Sequence, residues 1–475
     1  MSTVFDDSLL HKYNINGPRY TSYPTALQFT PAVAEAEYLM QAEASNQDFI
    51  PRALSLYLHL PFCRTVCFYC GCNRIITANY PRAQAYLAQL RQEAQMQSSL
   101  FDKDRQVVQL HLGGGTPTYY QDRDLEELMA HLAQCFPLST TPNRDFSLEI
   151  DPRTVNPMRI RRLAGLGFNR MSLGVQDFDP QVQQAINRIQ SLQQTREIID
   201  AARAAGFRSV NFDLIYGLPA QTLAGFAHTL EAVVDMRPQR IALYSYAHLP
   251  QLLKTQRRID SASLPSAELK LSLLTLAIEQ LLAAGYVYIG MDHFALPEDE
   301  LAIARREGHL HRNFQGYSTH SQCDLVALGV SAISKMGDCY VQNHRNIADY
   351  EAALASAELP IWRGVTLSLD DRIRRDVIMA IMCRPYVAFA PLERRYGICF
   401  QDYFQPELNR LAELQDDGLL VMTPEGFEIT AQGRLLLRAI AMSFDVYLPE
   451  RQIDRPHYSR LCKNPSIQRR RYTMP

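Results

Sequence analysis

The stretch Ser55-Leu56-Tyr57-Leu58-His59-Leu60-Pro61-Phe62-Cys63-Arg64-Thr65-Val66-Cys67-Phe68-Tyr69-Cys70-Gly71-Cys72 decides how this chain is read. An apolar run of strand length ends at a proline and opens into a loop whose thiols recur as Cys63-x3-Cys67-x2-Cys70, with Cys72 close behind. A structural zinc site ordinarily draws two Cys pairs from separated stretches, and crowding four ligands into this one loop strains a tetrahedron. If Cys72 points away, three thiolates remain. These suit three irons of a [4Fe–4S] cluster and leave the fourth iron open to a small molecule.

Disulfides belong to secreted chains, yet Met1-Ser2-Thr3-Val4-Phe5-Asp6-Asp7 has no basic region followed by an apolar one, and no segment approaches a membrane span. A reducing, cytoplasmic setting is expected, where clustered cysteines signal metal or redox chemistry. Cys135, Cys323, Cys339, Cys383, Cys399 and Cys462 stand singly and are expected to fill cores as small apolar residues. With 475 residues, 47% of them hydrophobic, the chain is too long for one ordinary core, and two or three domains are expected. A formal net charge of −2 gives no bulk electrostatic case for nucleic acid or an anionic membrane surface. Only Arg469-Arg470-Arg471 is locally basic, and it reads as a solvated chain end.

From about residue 54 to 294, short apolar or β-branched runs alternate with helical patterns, the signature of βα units around a parallel sheet. The runs are 55–60, 107–112, 146–150, 170–174, 209–215, 241–246 and 286–291. Asp179-Pro180 and Pro265-Ser266 predict helix starts, while Gly206 and Gly285 predict helix ends. Each strand is followed by glycine or a polar group: the cysteine loop, Gly113-Gly114-Gly115-Thr116, Glu149-Ile150-Asp151, Gly174-Val175-Gln176-Asp177, Asp213 near Tyr216-Gly217, Ala247-His248 and Asp292-His293. Barrel strands that present their carboxyl ends to a shared ligand produce this pattern. Taken singly, the triple glycine can equally serve a tight turn, and His59, His111, His248 and His293 can be hydrogen-bonded core histidines. Asp213 lies in an apolar run, where a carboxylate is costly without a partner.

The cysteine spacing with Phe68-Tyr69 resembles the radical S-adenosylmethionine (SAM) superfamily. The chain as a whole resembles its oxygen-independent coproporphyrinogen III oxidase (coproporphyrinogen dehydrogenase) family. Gly17-Pro18-Arg19-Tyr20-Thr21-Ser22-Tyr23-Pro24-Thr25, Cys70-Gly71-Cys72-Asn73, Gly174-Val175-Gln176-Asp177, Tyr246-Ala247-His248-Leu249-Pro250, His311-Arg312-Asn313-Phe314-Gln315-Gly316-Tyr317 and Gly329-Val330-Ser331-Ala332-Ile333-Ser334 carry that resemblance. It implies an α/β fold, a partial (β/α)6 barrel over residues 51–365, with an N-terminal segment, 1–50, covering the site and a mainly helical C-terminal domain, 366–475. It also implies Cys63, Cys67 and Cys70 as iron ligands and two SAM molecules, the first bordered by Tyr57, Gly114, Glu149 and Ile333. Tyr69, Gly115, Thr116, Gln176, Arg188, Asp213 and Ala247 would border the second.

The implied reaction is anaerobic oxidative decarboxylation of two propionates of coproporphyrinogen III to vinyl groups by a 5′-deoxyadenosyl radical, giving protoporphyrinogen IX in haem biosynthesis. A monomer served by an electron donor such as flavodoxin or ferredoxin is expected, with Arg19 as a candidate for the anionic substrate. The resemblance leaves the role of Cys72 open. A haem-binding chaperone of the same superfamily would be expected to lack Cys72-Asn73 and the 19–24 segment, and a haem-degrading relative would differ in substrate. A cluster protein for electron transfer alone would not need the polar groups at the strand ends. In the C-terminal region Leu408, Leu411 and Leu414 predict a helix ending near Gly418, followed by two strands about Pro424-Glu425-Gly426 and a helix capped by Thr430. That order matches a winged helix, but a cover over the barrel mouth is the reading preferred here over DNA binding.

Overall fold

The computed structural model describes residues 9, 12, 13, 17–33, 35–320 and 323–448. Cys462 and Arg469-Arg470-Arg471 lie outside them. Six strands run parallel in sequence order: β1 (Leu54–Leu60), β2 (Val107–Gly114), β3 (Asp145–Ile150), β4 (Arg170–Gln176), β5 (Ser209–Tyr216) and β6 (Arg240–Ser245). Both edges of this partial barrel are extended. β7 (Val287–Gly290) and β8 (His293–Ala295) follow β6, while β9 (Asp324–Leu328), β10 (Ile333–Met336), β11 (Cys339–Asn343) and β12 (Ile361–Thr366) continue from β1.

The expected seventh parallel βα unit at 286–291 is absent from the sheet. The run at 286–291 forms a strand, but not a parallel βα unit, because β7 pairs with β8, and β8 with β6, in antiparallel sense. Met291 and Asp292 both adopt positive φ, 42° and 75°, and so turn the chain back at once. A parallel return needs a crossover of a dozen residues or more, which this turn leaves no room for. The seventh parallel strand is instead β9, beside β1.

Alternation along the strands separates the core from the site. Leu54, Leu56, Leu58 and Leu60 are fully buried in one cluster with Tyr86, Leu87 and Leu90 of the helix Tyr80–Ser98. Ser55, Tyr57 and His59 take the other face, where Ser55 meets Gln109 of β2 at 2.8 Å. The helix signals act as read. The Asp179 side chain accepts the N–H groups of Gln181 and Val182, and the Ser266 side chain accepts that of Leu269 at the start of Ala267–Ala283. Gly206 and Gly285 take φ of 84° and 87° just past their helices.

Beyond β12, the helices Leu369–Cys383, Phe389–Tyr396 and Gln405–Asp416 surround a small sheet in which Gly426–Ile429 pairs with both Tyr386–Ala388 and Leu420–Thr423. Their apolar side chains share one cluster with Tyr20, Tyr23, Ile289, Met291 and Tyr317, so the N-terminal segment and the barrel edge are packed into it. Cys135, Cys339 and Cys383 are buried as expected. Cys399 is exposed, because the adjoining Phe400 takes the core position, and Cys323 is half-buried on the wall of a cavity. Among the described residues no helix is long and apolar enough to cross a membrane.

Candidate active site

The cysteine loop begins where β1 ends. Phe62–Cys63 pairs in parallel with Ile75–Ile76, so residues 64–74 form a closed lobe at the carboxyl end of the barrel. Cys63 and Cys67 are buried, Cys70 is half-buried, Cys72 is exposed, and all four are free thiols. Cys63 Sγ lies 3.3 Å from Thr116 Oγ1. Cys67 Sγ lies 3.4 Å from Arg188 Nη1 and 3.5 Å from Arg153 Nη2. A hydrogen bond from Cys72 and the charges of Arg74 and Arg188 outweigh burial and bring the Cys70 thiol down to about 6. Burial pushes that of Cys63 up to about 11. Three free thiols in one lobe, one of them, Cys67, against two guanidinium groups, are a donor set that fits an iron–sulfur cluster. Among the described residues no three His, Cys, Asp or Glu side chains converge as the ligands of a single metal ion.

The glycines after β2 permit close approach. Gly114 has φ of 109°, and a Cβ there would fall 2.5 Å from the His59 ring. At Gly115 a Cβ would fall 2.5 Å from the Pro61 carbonyl carbon. Contact with the chain's own backbone and with His59 therefore accounts for both positions. His59 in turn meets the Asn73 carbonyl at 2.8 Å and the Tyr57 hydroxyl at 3.1 Å, tying the barrel to the far end of the cysteine lobe.

Glu149 and Asp213 stand on the inner face in different electrostatic settings. Burial opposes ionisation of Glu149, but His111 at 3.6 Å and the Gly114 N–H, donating at 3.0 Å, hold its carboxyl below the usual range. Burial dominates at Asp213, aided by the charge of Glu149, and raises its carboxyl to about 7. Ser172 donates to Asp213 at 2.7 Å and Asn211 at 2.9 Å, which supplies the partners that an apolar strand required. Register pairs Glu149 with Ser172, Ser172 with Asn211, and Gly174 with Asp213. Asp213 thus lies two strands from Glu149 and one inward-facing position nearer the carboxyl end.

Arg188 is fully engaged. Its guanidinium donates to Asp151 at 3.1 Å and to the Gly174 carbonyl at 2.6 and 3.1 Å, besides facing Cys67. Gln176 adopts φ of 66° at a bulge in β4, a conformation unfavourable by about 1 kcal/mol or more for a non-glycine residue. Gln256, which the sequence reading missed, is 1% exposed and donates to the carbonyls of both Tyr69 and Ala247. It lies in the short 3-10 helix Lys254–Arg258, too brief to show a periodic signal in the sequence. Ser172 and Asn211 were also missed, although inward alternation around Asp213 marks both.

Tyr57 stacks on His111 with centroids 5.8 Å apart, close to Glu149 and Gly114. Ile333 opens β10, two strands from β1, and packs with Phe29, Tyr340 and Leu367. Arg19 pairs with Asp292 at 2.9 Å and lies over the Tyr244 ring. All four flagged histidines are hydrogen-bonded: besides His59, His111 meets Ser147, His248 meets Tyr246 and Ser261, and His293 meets the Met291 carbonyl.

Comparison with known proteins agrees with this arrangement. Residues 57–233 match the model of the radical SAM superfamily, and 367–436 match that of the HemN C-terminal domain. The oxygen-independent coproporphyrinogen III oxidase of Pseudomonas aeruginosa is 47% identical over 460 residues, spanning 96% of this chain and 98% of that protein. The enzyme of the same name from Escherichia coli is 46% identical over 447 residues, spanning 94% and 96%. The solved structure of coproporphyrinogen III oxidase (HemN) from Escherichia coli, described as a radical SAM enzyme, superimposes with a TM-score of 0.89 at 44% identity, covering 94% of this chain and 99% of the other. With the cysteine lobe at the carboxyl end of a partial parallel barrel and this similarity along nearly its whole length, the chain belongs to the oxygen-independent coproporphyrinogen III oxidase family of radical SAM proteins.

Proposed function

We propose that this chain catalyses the oxidative decarboxylation of coproporphyrinogen III to protoporphyrinogen IX. The observation that carries the reading is the lobe of Cys63, Cys67 and Cys70 at the carboxyl end of a barrel whose inner face carries the carboxylates Glu149 and Asp213, in a chain of this family. When bound, a [4Fe–4S] cluster and SAM supply a 5′-deoxyadenosyl radical able to take a hydrogen atom from a propionate β-carbon, with loss of carbon dioxide and an electron leaving the vinyl group. Cys63, Cys67 and Cys70 hold the cluster, and Arg188 and Arg153 stand against the Cys67 sulfur. The ionised Glu149 accepts hydrogen bonds from the amino or ribose groups of one SAM molecule, with Tyr57, Gly114 and Ile333 around it. A second SAM is bordered by Tyr69, Gly115, Thr116, Gln176, Arg188, Asp213 and Ala247. The chain's own work is to orient the reacting carbon and exclude water. Anaerobic incubation with SAM, a chemical reductant and coproporphyrinogen III tests this, with 5′-deoxyadenosine and protoporphyrinogen IX as products. Cleavage of SAM without vinyl formation would overturn the substrate assignment.

A further inference from the structure

A cavity of about 1000 Å³ opens below the candidate cofactor residues, none of which lines it. Its upper wall includes Ser55 and Lys335, which register across Leu325 on β9. Tyr57 lies two residues further along β1, so the cavity starts about 7 Å from the level of Tyr57. Its volume is at the upper end for small-molecule sites, of order 300–1000 Å³, and leaves room for a macrocycle.

The wall carries an excess of cations. Asp338 lies 3.0 Å from Arg372 and 3.4 Å from Arg375, Asp376 serves Arg375 and Arg395, and Asp324 serves Arg105 at 2.6 Å. Among the described residues Arg312, Lys335 and Arg384, also on the wall, have no carboxylate within ion-pair distance. Arg312 is 3% exposed and its Nη1 has no hydrogen-bond partner. Burial and the charges of Arg375 and Arg52 outweigh those of Asp324 and Asp376 and bring the Lys335 ammonium down to about 8. Phe314 and Tyr340, edge to face at 5.7 Å, give the same cavity an aromatic wall, and Thr21 and Ser22 of the N-terminal segment border it.

We infer that this cavity holds the macrocycle of a polycarboxylate tetrapyrrole, with its carboxylates on Arg312, Lys335 and Arg384 and its ring against Phe314 and Tyr340. The assignment rests on the decarboxylation reading above. Charged hydrogen bonds to carboxylate supply the affinity, and proximity to the Tyr57 level brings one propionate toward the cofactor.

The test uses the full chain with its cluster, held anaerobically, and coproporphyrin III as an air-stable probe followed by fluorescence quenching. Lys335→Gln should weaken binding about tenfold or more, Lys335→Arg should restore most of it, and SAM affinity should stay unchanged. Arg384→Gln should act in the same direction, and the tetramethyl ester of the probe should bind without regard to either substitution. The KM for coproporphyrinogen III should rise in parallel. A Lys335→Gln and Arg384→Gln pair with wild-type Kd and KM overturns the cavity assignment while leaving the decarboxylation reading intact if turnover persists. Absence of turnover in the wild-type chain overturns that reading instead, and a Lys335-dependent Kd for coproporphyrin III would still support the cavity.

Discussion

Arg188 places one guanidinium nitrogen 3.4 Å from Cys67 Sγ and 3.1 Å from Asp151 Oδ2. Arg188 thereby links the cysteine lobe to the barrel, alongside Arg153, which meets the same sulfur at 3.5 Å and Asp151 at 2.7 Å. Arg188→Ala removes that charge, leaving Arg153 as the remaining partner of Asp151, and should cost roughly 1–3 kcal/mol of stability. Iron and sulfide content after anaerobic reconstitution should fall, with Arg188→Lys intermediate. Wild-type loading in Arg188→Ala would show that Cys67 needs no such neighbour.

Cys72 is exposed and its thiol hydrogen-bonds to Cys70, whereas Cys67 is buried against two arginines. Cys67→Ala should abolish the cluster and Cys72→Ala should retain it, read from iron, sulfide and the visible absorption of reconstituted protein. Equal loss in both variants would make Cys72 a ligand.

Gly114→Ala puts a methyl group 2.5 Å from the His59 ring at a φ of 109°. Displacing His59 breaks its contact with the Asn73 carbonyl, and the strain and lost packing should cost roughly 1–3 kcal/mol. Thermal unfolding of the apoprotein measures this. An unchanged Tm would mean the turn relaxes freely.

Glu149 and Asp213 should affect SAM binding separately, since they lie two strands apart at different levels. Glu149→Gln should weaken one equivalent by roughly 1–3 kcal/mol if a charge-assisted hydrogen bond is lost, and Asp213→Asn the other. Equilibrium dialysis of the cluster-loaded protein resolves the stoichiometry. Wild-type affinity and stoichiometry in both variants would remove the pair from the cofactor site.

Asp213 also predicts a pH dependence of stability. Its folded carboxyl is raised from 3.8 to about 7, so its stabilising contribution is full below 3.8 and is lost as pH rises through 7. Asp213→Asn carries no such charge. The Tm of the Asn variant minus that of wild type should therefore increase between pH 5 and pH 8.5 in the apoprotein. A difference that stays flat across that range would mean Asp213 ionises at its ordinary pKa.

The sequence by itself determined the strand alternation, the helix caps at Asp179 and Ser266, the glycine stops and the place of the Cys63–Cys70 loop directly after the first barrel strand. These are local signals, written in period, capping chemistry and contiguous residues. Only the tertiary structure decided that the run at 286–291 turns back as an edge hairpin, because two successive positive φ values are a conformational outcome and not a composition. It alone brought Arg188 to Cys67, 121 residues away in the chain, and Gln256 to the carbonyl of Tyr69, 187 residues away. It likewise left Lys335 and Arg312 on a cavity wall without carboxylate partners. Charge balance inside a fold depends on which side chains meet across the barrel, and a linear sequence carries that information only through folding.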